Sequence, residues 1–138
     1  MSLDSFFSAI DVSSTGLRAQ RMRMNVISNN IANANTTRGP NGACYRRQQV
    51  RFSTLLGGAL QGRGVAVPSI TEDKREPKKI FNPEHPDAAK DGYVAMPNVN
   101  IVEEMVDMIS AARSYEANVM ALKTARGMVM KALEIGRA

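Results

Sequence analysis

Leu3, Ile10, Leu17, Met24 and Ile31 recur at strict seven-residue intervals, and the other end of the chain carries a matching ladder. There Ile101, Met105, Met108, Ala112, Tyr115, Val119, Leu122, Arg126, Val129 and Leu133 alternate steps of four and three, and only Arg126 is not apolar. A 3.5-residue spacing is the seam of a helix that packs lengthwise on another helix. Two long terminal helices packed along each other, coiled-coil-like, are therefore the frame, and whatever lies between them is carried as an insert. Asn100 and Glu103 form a capping pair after Pro97, and Gly136 stands where the second helix would stop. The spacing predicts a helix over 101–135, about 50 Å long at 1.5 Å per residue. In the first helix Ser13, Ser14 and Gly16 are weak helix formers, and they predict an interruption there.

Residues 38–97 change character. "RGPNG" is a cluster of turn signals, "ACYRRQQVRF" reads as a strand, and "GRGVAVPSI" reads as a second short strand after the "GGALQGRG" loop. "NPEHPDAAKDGYVAMPN", with three prolines, reads as an extended or irregular connector. The chain is thus mainly α with a small β-rich insert of hairpins. It divides into an N-terminal helical segment (1–37), a β-rich or extended middle (38–97) and a C-terminal helical segment (98–138).

The hydrophobic content of 43% and charged content of 22% belong to a globular chain rather than a disordered one. Nine methionines and no Trp suit helix packing and adaptable interfaces. Residues 1–64 hold eight arginines against two aspartates, net +6, whereas residues 65–138 hold ten basic against eleven acidic residues, net −1. A basic half raises nucleic acid as a partner, and a basic helical module binding nucleic acid is the alternative reading of the chain. No basic run exceeds two residues, so solvated or intersubunit arginines are favoured over it.

Convergent catalytic groups are missing. The one histidine, His85, sits in "NPEHPD", which reads as a surface loop. Cys44 is alone, which rules out an internal disulfide and leaves no Cys/His cluster for a metal. Glu103 and Glu104 are adjacent, point to different parts of a helix surface, and read as its acidic start. The glycines of "GGALQGRG" lack the ending of a phosphate loop. No enzyme, cofactor or small-molecule substrate is expected. The N-terminus has no basic region of a secretory signal, and no apolar run is long enough to span a bilayer, so composition alone reads as cytoplasmic.

One stretch resists the frame. "NVISNNIANANTT" places five asparagines within residues 25–35 of the first helix, with no charged residue from Met24 through Thr37. Asparagine is a poor helix former because its amide competes for nearby backbone groups. Asn25, Asn29 and Asn33 share one helix face at i, i+4, i+8.

The same stretch carries a resemblance. "SSTGLRAQRMRMNVISNNIANANTTRG" resembles the N-terminal signature of the bacterial flagellar rod and hook family, with "STGL", the following Arg and "SNNIANANT" in matching order and spacing. "GPNGACYRRQQVRF" and "GYVAMPNVNIVEEMVDMISAARSYEANV" are similar to a short rod member of that family. Cys44 departs from the pattern, where a non-thiol residue, often Pro, is expected. Residues 55–79 carry no signature.

The resemblance implies a structural subunit of the proximal rod in the flagellar basal body. Such a subunit is exported through the flagellar type III channel without a cleaved signal, then polymerises helically across the periplasm as drive shaft and export-channel wall. This replaces the cytoplasmic reading. The terminal helices would form an inner helical tube and the middle segment an outer domain. The partners implied are copies of itself, other rod proteins including the distal rod, the membrane-ring adaptor and the export apparatus. In such a polymer both sides of a helix face protein, and an amide is cheaper to bury than an unpaired charge. The residues expected at subunit contacts are Leu3, Ile10, Leu17, Met24 and Ile31, then Ile101, Met105, Met108, Ile109, Ala112, Tyr115, Val119, Leu122, Val129 and Leu133, together with Asn25, Asn29, Asn30 and Asn33.

Overall fold

The computed structural model describes residues 3–55 and 64–136, with side chains described over 8–54 and 64–136. Six elements follow in order: α1 (Leu3–Ala32), β1 (Gln48–Leu55), β2 (Gly64–Glu72), β3 (Lys78–Phe81), β4 (Tyr93–Met96) and α2 (Ile101–Gly136). The fold is mainly helical with a β insert, as the two ladders predict.

The helices pack antiparallel. Asn30 meets Glu104, Arg23 meets Asp107, and Gly16 lies against Asn118. Moving back from Asn30 to Gly16 advances the partner equally far, from Glu104 to Asn118, about 21 Å on each helix. α1 is continuous through Ser13–Gly16, so the expected interruption is absent. A glycine inside a helix costs about 1 kcal/mol relative to Ala. Here it allows close approach, because a Cβ on Gly16 would sit 3.2 Å from Asn118 Nδ2. Tertiary packing outweighs the local weakness.

The facing lines also differ from the expected seams. Gly16, Arg23 and Asn30 on α1 look toward Glu104, Asp107 and Asn118 on α2, and Ala111 is fully buried between the helices' contacts. Leu17, Met24 and Ile31 lie one position round and are half-buried. Buried Ala19, Val26 and Ile27 extend the core toward the insert.

The end of α1 and the start of α2 each have their own device. Asn33 donates from Nδ2 to Asn29 O at 2.9 Å, and Thr36 Oγ1 donates to Asn33 Oδ1, closing α1. Asn100 Oδ1 accepts the Val102 N–H, and its Nδ2 donates to Glu103 Oε1, opening α2.

β1 and β2 form one antiparallel hairpin, β3 and β4 another. β1 begins at Gln48, five residues later than "ACYRRQQVRF" suggests, because Tyr45 and Arg47 are used in side-chain contacts described below. Gln48 is tied to Asn30 and Val65 to Thr15, so the first hairpin runs back along α1. The register shifts opposite Phe52, where Val67 and Pro68 form a bulge that accommodates proline's missing donor. The second hairpin pairs Lys78–Phe81 with Tyr93–Met96, regular pairing in a stretch the sequence presents as irregular.

Among the described residues two glycines have positive φ: Gly42 at 74° and Gly92 at 78°. Space around a Gly42 Cβ is open, whereas a Gly92 Cβ would lie 2.8 Å from the Phe81 ring. Gly42→Ala is expected to cost about 1–2 kcal/mol of stability from backbone strain alone. Gly92→Ala should cost more by about 1 kcal/mol for displacing the ring. Urea unfolding of both variants measures the difference, and equal losses would show that Phe81 moves aside freely.

Candidate functional site

Asn30 has almost no exposed surface, and all of its hydrogen-bonding capacity is used. Nδ2 donates to Gln48 O and to Glu104 Oε2, both at 2.9 Å. Oδ1 accepts from the Gln48 N–H and the Tyr45 hydroxyl, again at 2.9 Å. One amide therefore joins α1 to β1, to the loop before it and to α2.

Glu104 is fully buried. Its Oε1 accepts from Arg47 Nε, completing a charge-assisted pair. Arg47 reaches Asp107 at 3.5 Å, and Arg23 reaches the other oxygen of Asp107 at 3.1 Å. The Arg47 backbone N–H donates to Asn98 Oδ1, and Asn98 Nδ2 donates to Arg75 O. Two arginines and two carboxylates thus balance to zero at the meeting point of both helices, the first hairpin and the connector. Burial, then the Glu104 carboxylate and Glu72, push the Tyr45 phenol above its ordinary pKa.

Among the described residues no group of three or more His, Cys, Asp and Glu side chains could hold a metal ion. No described helix is long and apolar enough to cross a membrane. Cys44 is a half-buried free thiol, and His85 Nδ1 accepts from the Asp87 N–H within its loop.

The expected contact residues separate into three groups. Ile10, Leu17, Met24, Ile31, Met108, Ala112, Tyr115, Val119, Leu122 and Val129 are half-buried within the chain. Ile101, Met105, Ile109 and Leu133 are exposed, as are Asn25 and Asn29. Asn33 is spent on the end of α1 and Asn30 on the internal junction, so these two amides serve their own chain. Leu3's side chain lies outside the described residues.

Val102, Met105, Val106 and Ile109 follow i, i+3, i+4, i+7 and are each more than half exposed. They occupy the side of α2 turned away from Glu104 and Ala111. α2 is therefore apolar on two sides, and one is wet. The residues that sequence reasoning missed are Tyr45, Arg47, Glu104 and Asp107. Arg47, Glu104 and Asp107 signal themselves only by charge beside the apolar ladder or in the expected strand, and Tyr45 carries no such signal.

Both helices fall in regions that resemble known proteins. Residues 10–40 match the family model for flagella basal body rod protein, and residues 90–135 match that for the flagellar basal body rod FlgEFG protein C-terminal. The flagellar basal-body rod protein FlgC of Borreliella burgdorferi is 47% identical, covering 94% of this chain and 96% of the relative. That of Bacillus subtilis is 46% identical over 95% and 98%. That of Salmonella typhimurium is 41% identical over 92% and 95%. The fold and the matched ends define a flagellar basal-body rod protein. Within that class the chain belongs to the FlgC family.

Glu104→Ala would leave Arg47 and Asn30 facing a void. Breaking such a pair on one side is expected to cost about 3–5 kcal/mol. Urea unfolding checks it, with Glu104→Gln, which retains an acceptor, losing less. Tyr45 adds a pH signature. Its folded pKa is raised, so the stabilisation of the neutral phenol is complete below the unfolded value of about 10 and is lost as pH rises through the folded value. Unfolding measured across that alkaline window should fall less steeply in Tyr45→Phe than in the parent.

Proposed function

We infer that the chain is a structural subunit of the flagellar basal-body rod, at its proximal end, polymerising helically to form drive shaft and export-channel wall across the periplasm. The observation that carries the polymer reading is the exposed stripe Val102–Met105–Val106–Ile109 on a helix whose opposite side is already paired. Each of these side chains stands to gain about 1 kcal/mol or more when its wet half is covered. A monomer leaves that gain unused.

In this reading residues 1–37 and 98–138 form the inner-tube domain, and 38–97 form the outer part. Contacts are made with copies of the chain, with other rod proteins including the distal rod, and with the membrane-ring adaptor. Export proceeds through the flagellar apparatus without a cleaved signal peptide. Asn25 and Asn29 suit the same role: both are exposed, and neither amide side chain has a hydrogen-bond partner among the described residues. Nothing favours the nucleic-acid alternative. Arg23 and Arg47 of the basic half are committed to Asp107 and Glu104.

The test separates folding from assembly. Ile109→Asp alters an exposed side chain and is expected to change unfolding free energy by less than about 0.5 kcal/mol. Export should continue, while incorporation into purified basal bodies and swimming are lost. Asn29→Asp should act in the same direction, because a new charge enters a packed face with no partner. Wild-type basal-body yield from both variants would remove the free α2 side and the amide face from the interface.

A further inference from the structure

Directly opposed residues on antiparallel strands share a face. In the second hairpin Lys79 opposes Ala95 and Phe81 opposes Tyr93, and all four are exposed. On the opposite face Val94 is buried, while its cross-strand partner Ile80 stays half exposed. The free face is a built surface. Phe81 and Tyr93 pack edge to face with ring centroids 5.3 Å apart, and the Phe81 ring rests against the bare backbone of Gly92. An aromatic pair held this way loses little freedom on docking. Phe81 nevertheless keeps 64% of its surface in water. Strands β3 and β4 carry Lys78 and Lys79 and no acidic residue.

A surface of opposite character lies where α2 begins. Val102, Glu103, Val106 and Asp107 line a shallow groove of about 370 Å³ closed on one side by Arg47. Beyond Arg47 and Asp107 a second hollow continues to Phe52, also exposed. Counting Arg23, Arg47, Glu103, Glu104 and Asp107, the charges around these hollows sum to −1. Among the described residues Glu103 forms no ion pair.

We propose that the Phe81–Tyr93 face of one copy docks onto the Val102–Val106 groove of a second copy of this chain. The aromatic pair covers the exposed valines, and Lys79 approaches Glu103. Pairing like with like is disfavoured, because it brings two lysine-bearing faces or two acidic grooves together. The contact therefore joins unlike patches. In the helical polymer of the rod reading each copy offers one patch forward and the other backward. This inference rests on the rod reading and adds to it which surfaces meet.

The experiment uses two full-length chains, both with Cys44→Ser. One carries Ala95→Cys, beside the aromatic pair, and the other Ser110→Cys, one helical turn beyond Val106, both at exposed positions given no part in the contact. They are treated with a short thiol-to-thiol cross-linker, separately and mixed, under conditions where the parent chain assembles. The mixture should yield linked dimers at least about tenfold above either chain alone, as a contact between unlike patches requires. No excess in the mixture overturns the docking, and so does equally efficient linking of the Ala95→Cys chain to itself. Basal bodies purified from cells producing the parent chain are probed in parallel. The chain's absence from them overturns the rod assignment, whereas its presence without cross-linking overturns only the docking contact.

Discussion

A carboxylate without exposed surface must be neutralised and hydrogen-bonded inside the protein, and Glu104 obtains both from other parts of the chain. Arg47 brings the charge, and Asn30 brings a donor. Asn30 then has one donor and two acceptor positions left, and these hold the Gln48 backbone and the Tyr45 hydroxyl. The position of β1 follows from the packing of α1 on α2, because the same amide serves both. With Gln48 held at one end and Val65 at the other, the first hairpin has to run along α1. A purely apolar junction of equal volume would be no weaker, but it would tolerate sliding by a turn. Hydrogen bonds at about 2.9 Å do not.

This arrangement bears on assembly. The contacts that set the helix register lie inside the chain and are polar, while the free side of α2 is apolar and non-directional. A subunit can then be specified internally and still gain by adding neighbours through hydrophobic burial. The asparagines divide along the same line. Asn30 and Asn33 meet needs of their own chain, the first as a junction and the second as a helix end, while Asn25 and Asn29 stay at the surface. A stripe that reads as one feature in the sequence performs two tasks inside its own chain and leaves two amides at the surface.

Much of the frame was legible. Helix positions follow from periodicity, which the backbone imposes at every turn, so Ile101–Gly136 lies within a residue or so of the expectation. The capping of α2 by Asn100 was legible because a cap is local. The continuity of α1 was not, since Gly16 is defined by Asn118, about a hundred residues away. β3 was missed for a similar reason: four residues with an alternation as short as "KKIF" gain strand character only from the pairing with Tyr93–Met96.

The sequence alone determined that two long helices flank a small β insert, that no catalytic or metal-binding cluster was to be expected, and that the ends resemble rod proteins. These properties reside in residues near one another along the chain or in composition. Only the tertiary structure decided which face of each ladder turns inward. A helix apolar on two sides has no preferred inner side by periodicity, and the choice fell to the few positions where charge and amide could be mutually satisfied. Glu104 in line with Ala111 marks the inner face of α2, and its burial leaves Val102, Met105, Val106 and Ile109 outside. That outcome depends on Arg47 and Asn30, 57 and 74 residues away, arriving together at one carboxylate.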